Sequence, residues 1–161
     1  MRGLLLLSQV HWHTEDLFVK ITDAFLGEHA ILYAQFAHLE QVTSTAETVD
    51  VVRSLAATLN ATLISHANLE DELLFSALGP IGPVAVMRME HAQIEALLGT
   101  VPDTRELHQA QNLLIQALQI ARNHFSKEEQ MLFPLSERML DQSVLVELAF
   151  RWADRRGVLS V

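Results

Sequence analysis

Residues 107–135, LHQAQNLLIQALQIARNHFSKEEQMLFPL, carry the pattern that sets the fold class. Positions 107, 110, 114, 117, 121, 124, 128, 131 and 135 advance by alternating steps of three and four. They hold Leu, Ala, Leu, Ala, Ala, His, Glu, Met and Leu. That spacing is the inward stripe of a helix in a bundle. It contains an anomaly, because His124 and Glu128 stand where the stripe should be apolar.

A second stripe runs through positions 52, 56, 59, 63, 66, 70, 73 and 77 with the same alternation, and His66 and Glu70 interrupt it in the same way. Two shorter stripes are Ile21, Phe25, His29, Leu32, Phe36, Leu39 and Val84, Met87, His91, Ile94, Leu98. Thr43-Ser44-Thr45, Gly79-Pro80-Ile81-Gly82-Pro83 and Gly99-Thr100-Val101-Pro102-Asp103 separate the four segments, with Asp103 or Thr104 available as an N-cap. Helices are therefore expected at about 14–41, 47–78, 83–98 and 103–140, with Pro134 kinking or interrupting the last. A fifth, at about 143–156, carries Val144, Leu148, Phe150 and Trp152 across the bundle end. Short connections make successive helices antiparallel neighbours. The expected fold is all-α: an up-down-up-down antiparallel four-helix bundle with a short C-terminal fifth helix. Residues 1–161 read as one domain with its bundle core at about 14–140, without internal repeat or linker.

Composition agrees and narrows the function. Of 161 residues half are apolar and 19% charged, which suits a globular chain. Six Gly and four Pro are too few for the turns of a sandwich or barrel. A formal charge of −9 repels phosphate backbones and anionic lipid, so nucleic acid and membrane surfaces are poor partners, whereas cations are attracted. The absence of Cys removes disulfides, thiolate nucleophiles and Cys-ligated metals, leaving His and carboxylate as ligands. The apolar run Leu4 to Leu7 is too short for the h-region of a signal peptide, which needs about 7–15 residues, and a cytoplasmic location is expected.

Burying a carboxylate costs several kcal/mol unless it is paired or binds a metal. Thirteen Glu and eight His in 161 residues predict about 0.65 His-x-x-x-Glu pairs by chance, and the chain has four. His11 with Glu15 precedes the firm periodicity and reads as accidental. His66 with Glu70, His91 with Glu95 and His124 with Glu128 fall where a bundle points inward, and His29 joins them on the first stripe. An i, i+4 pair projects from one helix face with Cβ atoms about 5–6 Å apart, so both side chains can reach one metal. At about 1.5 Å per residue the four histidines fall in nearly one layer of an antiparallel bundle. His11 and His13 are given no ligand role, nor are His38, which points away from His29, and His108, on an exposed face; packing is the reading for Tyr33 (whose hydroxyl could still reach a ligand's partner) and for Met87, Met89 and Met131. Seven donors exceed one tetrahedral zinc and suit two metals sharing carboxylates. Iron, zinc, manganese and copper all accept such ligands.

Glu28-His29, His66-x-x-x-Glu70, His91, and the string His124-Phe-Ser-Lys-Glu128-Glu129-Gln-Met-Leu-Phe-Pro134 resemble the hemerythrin (HHE cation-binding) family over about 20–140. The resemblance implies a non-haem di-iron centre, with His29, His66, His91 and His124 as terminal ligands and Glu70 and Glu128 as bridges. Oxygen-carrying hemerythrins resemble His-x-x-x-His on the third helix and His-x-x-x-x-Asp on the fourth. Here Glu95 stands at the former place, and the fourth helix offers Glu128 or Glu129. Glu95 is expected to replace the missing histidine as a terminal carboxylate. The competing reading turns it to solvent, with Ile94 on the stripe.

The resemblance implies a protein of two iron ions that binds, senses or reacts with oxygen or a related small oxidant, peroxide or nitric oxide. An iron or zinc storage module and a metal-free helical interaction domain are the alternatives. No site for an organic substrate is evident.

Overall fold

The computed structural model describes residues 18–158, which form five helices and no strand. Helix α1 is Ile21–Thr45. Helix α2 is Val49–Leu69, running without a break through a π-helical stretch, Glu70–Phe75, to Ser76–Leu78. Helix α3 is Gly82–Thr100. Helix α4 is Leu107–Lys127, running through a second π-helical stretch, Glu128–Leu132, to Phe133–Met139. Helix α5 is Gln142–Arg155. The first four pack antiparallel as the bundle that the periodicity predicts, and α5 lies chiefly along α1.

Local chemistry sets the ends. Helix α1 starts at Ile21, later than about 14, because the Lys20 N–H donates to the Asp23 carboxylate at 2.9 Å and Phe18 to Lys20 are not helical. The expected residues 14–17, with His11, His13 and Glu15, lie outside the described residues. Gly79 adopts φ 73°, a left-handed conformation that ends α2 at little cost only for glycine. Between α3 and α4, Val101–Asp103 is a separate 3₁₀ turn, so α4 begins at Leu107 with Glu106 at its N-cap position, rather than at Asp103 or Thr104. The Thr104 hydroxyl instead donates to the Thr100 carbonyl at 3.0 Å, and Arg53 donates to the Thr104 carbonyl at 2.7 Å.

Pro134 does not interrupt α4. It lies just after the π stretch Glu128–Leu132, and the helix continues past it to Met139.

The interior has three layers. Leu32, Phe36, Leu59, Leu114, Leu118 and Phe125 belong to one apolar cluster, and Phe25, Leu73, Phe75, Met87, Leu132 and Leu148 to another. Buried His29, His66, Glu70, His124 and Glu128 lie among these apolar residues. Helix α5 buries Leu145 and Leu148, while Phe150, expected to pack, is exposed. Of the three methionines read as core, Met87 is buried but Met89 and Met131 are exposed. Among the described residues no helix is long and apolar enough to cross a membrane.

Candidate metal centre

Two groups of side chains converge between α1, α2, α3 and α4. His29, His66, Glu70 and Glu128 form one, and Glu70, His91, His124 and Glu128 the other, each with one donor atom per residue within 4.8 Å of the rest. The two carboxylates belong to both. Glu70 Oε1 lies 3.2 Å from His66 Nε2 and 3.8 Å from His29 Nε2, while its Oε2 lies 3.2 Å from His91 Nε2. Glu128 divides its oxygens likewise, Oε2 at 3.5 Å from His29 Nε2 and Oε1 at 3.3 Å from His124 Nε2.

The imidazoles are held from behind. His66 Nδ1 lies 2.6 Å from Glu28, His29 Nδ1 2.9 Å from Glu129, and His124 Nδ1 3.0 Å from Glu90. A carboxylate there accepts the Nδ1–H and leaves the Nε2 lone pair facing inward. Aromatic rings hold the planes: His29 stacks on Phe125 with centroids 3.9 Å apart, and His91 on Phe75 at 5.8 Å. The Tyr33 ring meets His29 edge-on, and burial and the nearby Glu129 charge push its hydroxyl up to about 12.

With Nδ1 protonated, His29 and His66 present their Nε2 lone pairs to each other at 3.1 Å. That contact is repulsive between neutral rings, and either a cation or a second proton on His66 relieves it. Both oxygens of Glu70, both of Glu128, both nitrogens of His91 and His124 Nε2 are buried without an aligned hydrogen bond. Unsatisfied buried donors and acceptors are rare in native interiors, and a cation would satisfy this set together.

The electrostatics respond to the crowding. Burial raises Glu128, and the neighbouring Glu70 charge raises it further. Glu70 lies well below the usual carboxylate range, since the His66 charge and contacts with His29, His66 and His91 outweigh its desolvation. His66 rises to about 10: burial opposes its charge, but Glu70 and Glu28 prevail. His124 is raised against burial by Glu128 and Glu90. Burial would raise Glu28, yet hydrogen bonds from His66, Arg156 and Trp152 bring it down to about 2.

The structure brings six of the seven predicted residues together. Glu95 is exposed and outside both groups, and Ile94 takes the buried place. The reason is helical drift. Four residues advance about 400° on an α-helix, so the position after a partly exposed histidine turns about 40° further out. In α2 and α4 the second residue of the pair opens a π turn, as α3's does not. His38 and His108 are exposed, consistent with no role here.

The periodicity missed Glu90 and the role of Glu28, although a signal exists. Glu28-His29 and Glu90-His91 are equivalent dipeptides, each glutamate holding the histidine of the following helix. A repeat was also missed: His66-x-x-x-Glu70-Asp-Glu-Leu-Leu-Phe75 matches His124-x-x-x-Glu128-Glu-Gln-Met-Leu-Phe133, and each copy contains a π stretch.

Residues 20–136 match the hemerythrin HHE cation binding domain. The chain belongs to this family. No curated protein and no solved structure matches it. The HHE segment contains all six converging residues, and α5 lies beyond it.

A cavity of about 110 Å³ between α2 and α3 reaches this HHE centre, with His66, His91, His124, Phe125, Ile94 and Glu95 in its wall.

Proposed function

We propose that this HHE domain holds two iron ions and binds, senses or reacts with oxygen or a related small oxidant such as peroxide or nitric oxide. His29 and His66 would hold one ion, His91 and His124 the other, and Glu70 and Glu128 would join both. The observation that carries this reading is the division of each carboxylate, with one oxygen toward each histidine pair. Iron in this nitrogen and oxygen ligand set supplies electron-transfer and small-ligand chemistry.

The chain's own part is to orient and to exclude. Glu28, Glu129 and Glu90 fix three imidazoles. Phe25 and Phe125 seal two sides of His66 with edge contacts at 5.6 and 5.2 Å. The α2–α3 cavity gives a small molecule a way to the histidines His66, His91 and His124.

Metal analysis with a visible spectrum tests the reading. Two irons per chain and an oxo-bridged di-iron band after exposure to air are expected. One metal per chain, or zinc without any response to oxygen, would overturn it in favour of storage or homeostasis.

A further inference from the structure

Helix α5 lies outside the HHE segment, yet its C-terminal turn reaches a carboxylate that holds a candidate ligand. Trp152 Nε1 donates to Glu28 Oε1 at 2.6 Å. Arg156 donates from Nε to Oε1 at 2.7 Å and from Nη2 to Oε2 at 2.9 Å, a two-bond fork. Glu28 Oε2 in turn faces His66 Nδ1 at 2.6 Å, and Arg156 Nη1 donates to the Ser65 hydroxyl at 2.8 Å, one residue before that histidine. The turn that presents Arg156 is itself locked. Gly157 at φ 66° lets its N–H reach the Asp154 carbonyl at 3.0 Å and the Val158 N–H reach that of Ala153 at 2.8 Å.

The other half of the site is built differently. Glu90, which faces His124 Nδ1, is paired with Lys127 of α4, within the HHE segment. Two similar histidine–glutamate halves are thus held by unlike supports.

We infer that Trp152 and Arg156 are positioning residues for His66, acting through Glu28, so that α5 controls the metal position of His29 and His66 and not that of His91 and His124. Three donors on α5 hold both oxygens of Glu28 and leave its carboxylate one orientation toward the imidazole. Without them Glu28 can rotate toward solvent, and His66 loses its fixed tautomer and ring plane. Partners of this kind typically contribute about 10–100-fold to metal affinity. The inference rests on the two-metal reading above for its affinity consequence, and on the contacts alone for its effect on His66.

The experiment uses the full chain, stripped of metal and titrated with Zn(II) by calorimetry. The parent should take two ions. Arg156→Ala and Trp152→Phe should each keep one at parental affinity and bind the other about 10–100-fold more weakly, with Arg156→Lys intermediate. Arg155→Ala, which removes an α5 ion pair with Glu72 without touching Glu28, should bind both ions like the parent. In the metal-free protein the His66 Nδ1–H resonance should shift or broaden in Arg156→Ala and Trp152→Phe and stay put in Arg155→Ala. Unchanged affinities with an unshifted resonance in both variants would overturn the inference. So would losses in Arg155→Ala equal to those in Arg156→Ala, which would reduce the contacts to helix docking. A parent that binds fewer than two ions would defeat the two-metal reading, and the His66 resonance would still decide the inference.

Discussion

Glu70 faces His66 with one carboxylate oxygen and His91 with the other, at 3.2 Å in each case. With His29 of α1 at 3.8 Å, this one side chain on α2 meets histidines from three helices, and like Glu128 of α4 it belongs to both donor groups. Residues shared by two positions and residues confined to one should fail differently when removed.

Glu70→Gln and Glu128→Gln should each lose both metals, because the neutral amide keeps the shape but removes the charge that both positions use. His29→Ala or His124→Ala should lose one. Metal content per chain checks this, and equal losses for all four variants would show a single undivided site.

Metal removal should lower the melting temperature, since it leaves Glu70 and Glu128 to face each other in the interior. The metal-free protein should also show a sign reversal. Glu128 is raised above its unfolded value, so its charge costs stability once the pH exceeds about 4.5, the ordinary glutamate value. Glu128→Gln should accordingly stabilise the metal-free protein at neutral pH by about 1 kcal/mol or more while abolishing metal binding. Denaturant unfolding in chelator, at pH 7, decides it.

A different pH response belongs to Glu137, which ties α4 to the start of α1. The Thr22 hydroxyl donates to it at 2.6 Å and the Lys20 ammonium lies 3.2 Å away, and together they hold its carboxyl below the usual value against partial burial. A depressed carboxyl stabilises above its unfolded value and loses that contribution as the pH falls through the folded one. Glu137→Gln should thus weaken the metal-free protein at pH 7 by only a few tenths of a kcal/mol, because solvent screens this exposed pair, with the difference vanishing in acid. Paired unfolding curves across that range are the check, and a constant difference would contradict the titration.

The cavity predicts ligand kinetics. Glu95→Ala should retain both metals and admit azide several-fold faster at low salt, because a carboxylate on the cavity wall repels anions. Ala67→Phe should slow azide without altering metal content, by filling the passage. Stopped-flow traces in iron-loaded protein measure both, and unaltered rates in both variants would place the entry route elsewhere.

The bundle and the histidine layer follow from the sequence by itself. Alternating three- and four-residue steps permit one inward face per helix, and a charged residue on that face must have a partner. His29, His66, Glu70, His124 and Glu128 were legible for that reason, as was the partly buried His91. What periodicity left undecided turned on fractions of a helical turn and on neighbours distant in the chain. His91 sits at the edge of its stripe, so Glu95 leaves the core although its spacing equals that of the two inward pairs. The support of His66 by Glu28, Trp152 and Arg156 joins residues more than a hundred positions apart at their widest, and no local pattern encodes such a meeting. Met131 falls on the stripe by count yet lies exposed within a π stretch, where the helical register departs from the α spacing used to count it. Local spacing determines which face a helix buries; only packing decides how far round that face each side chain lies and what meets it there.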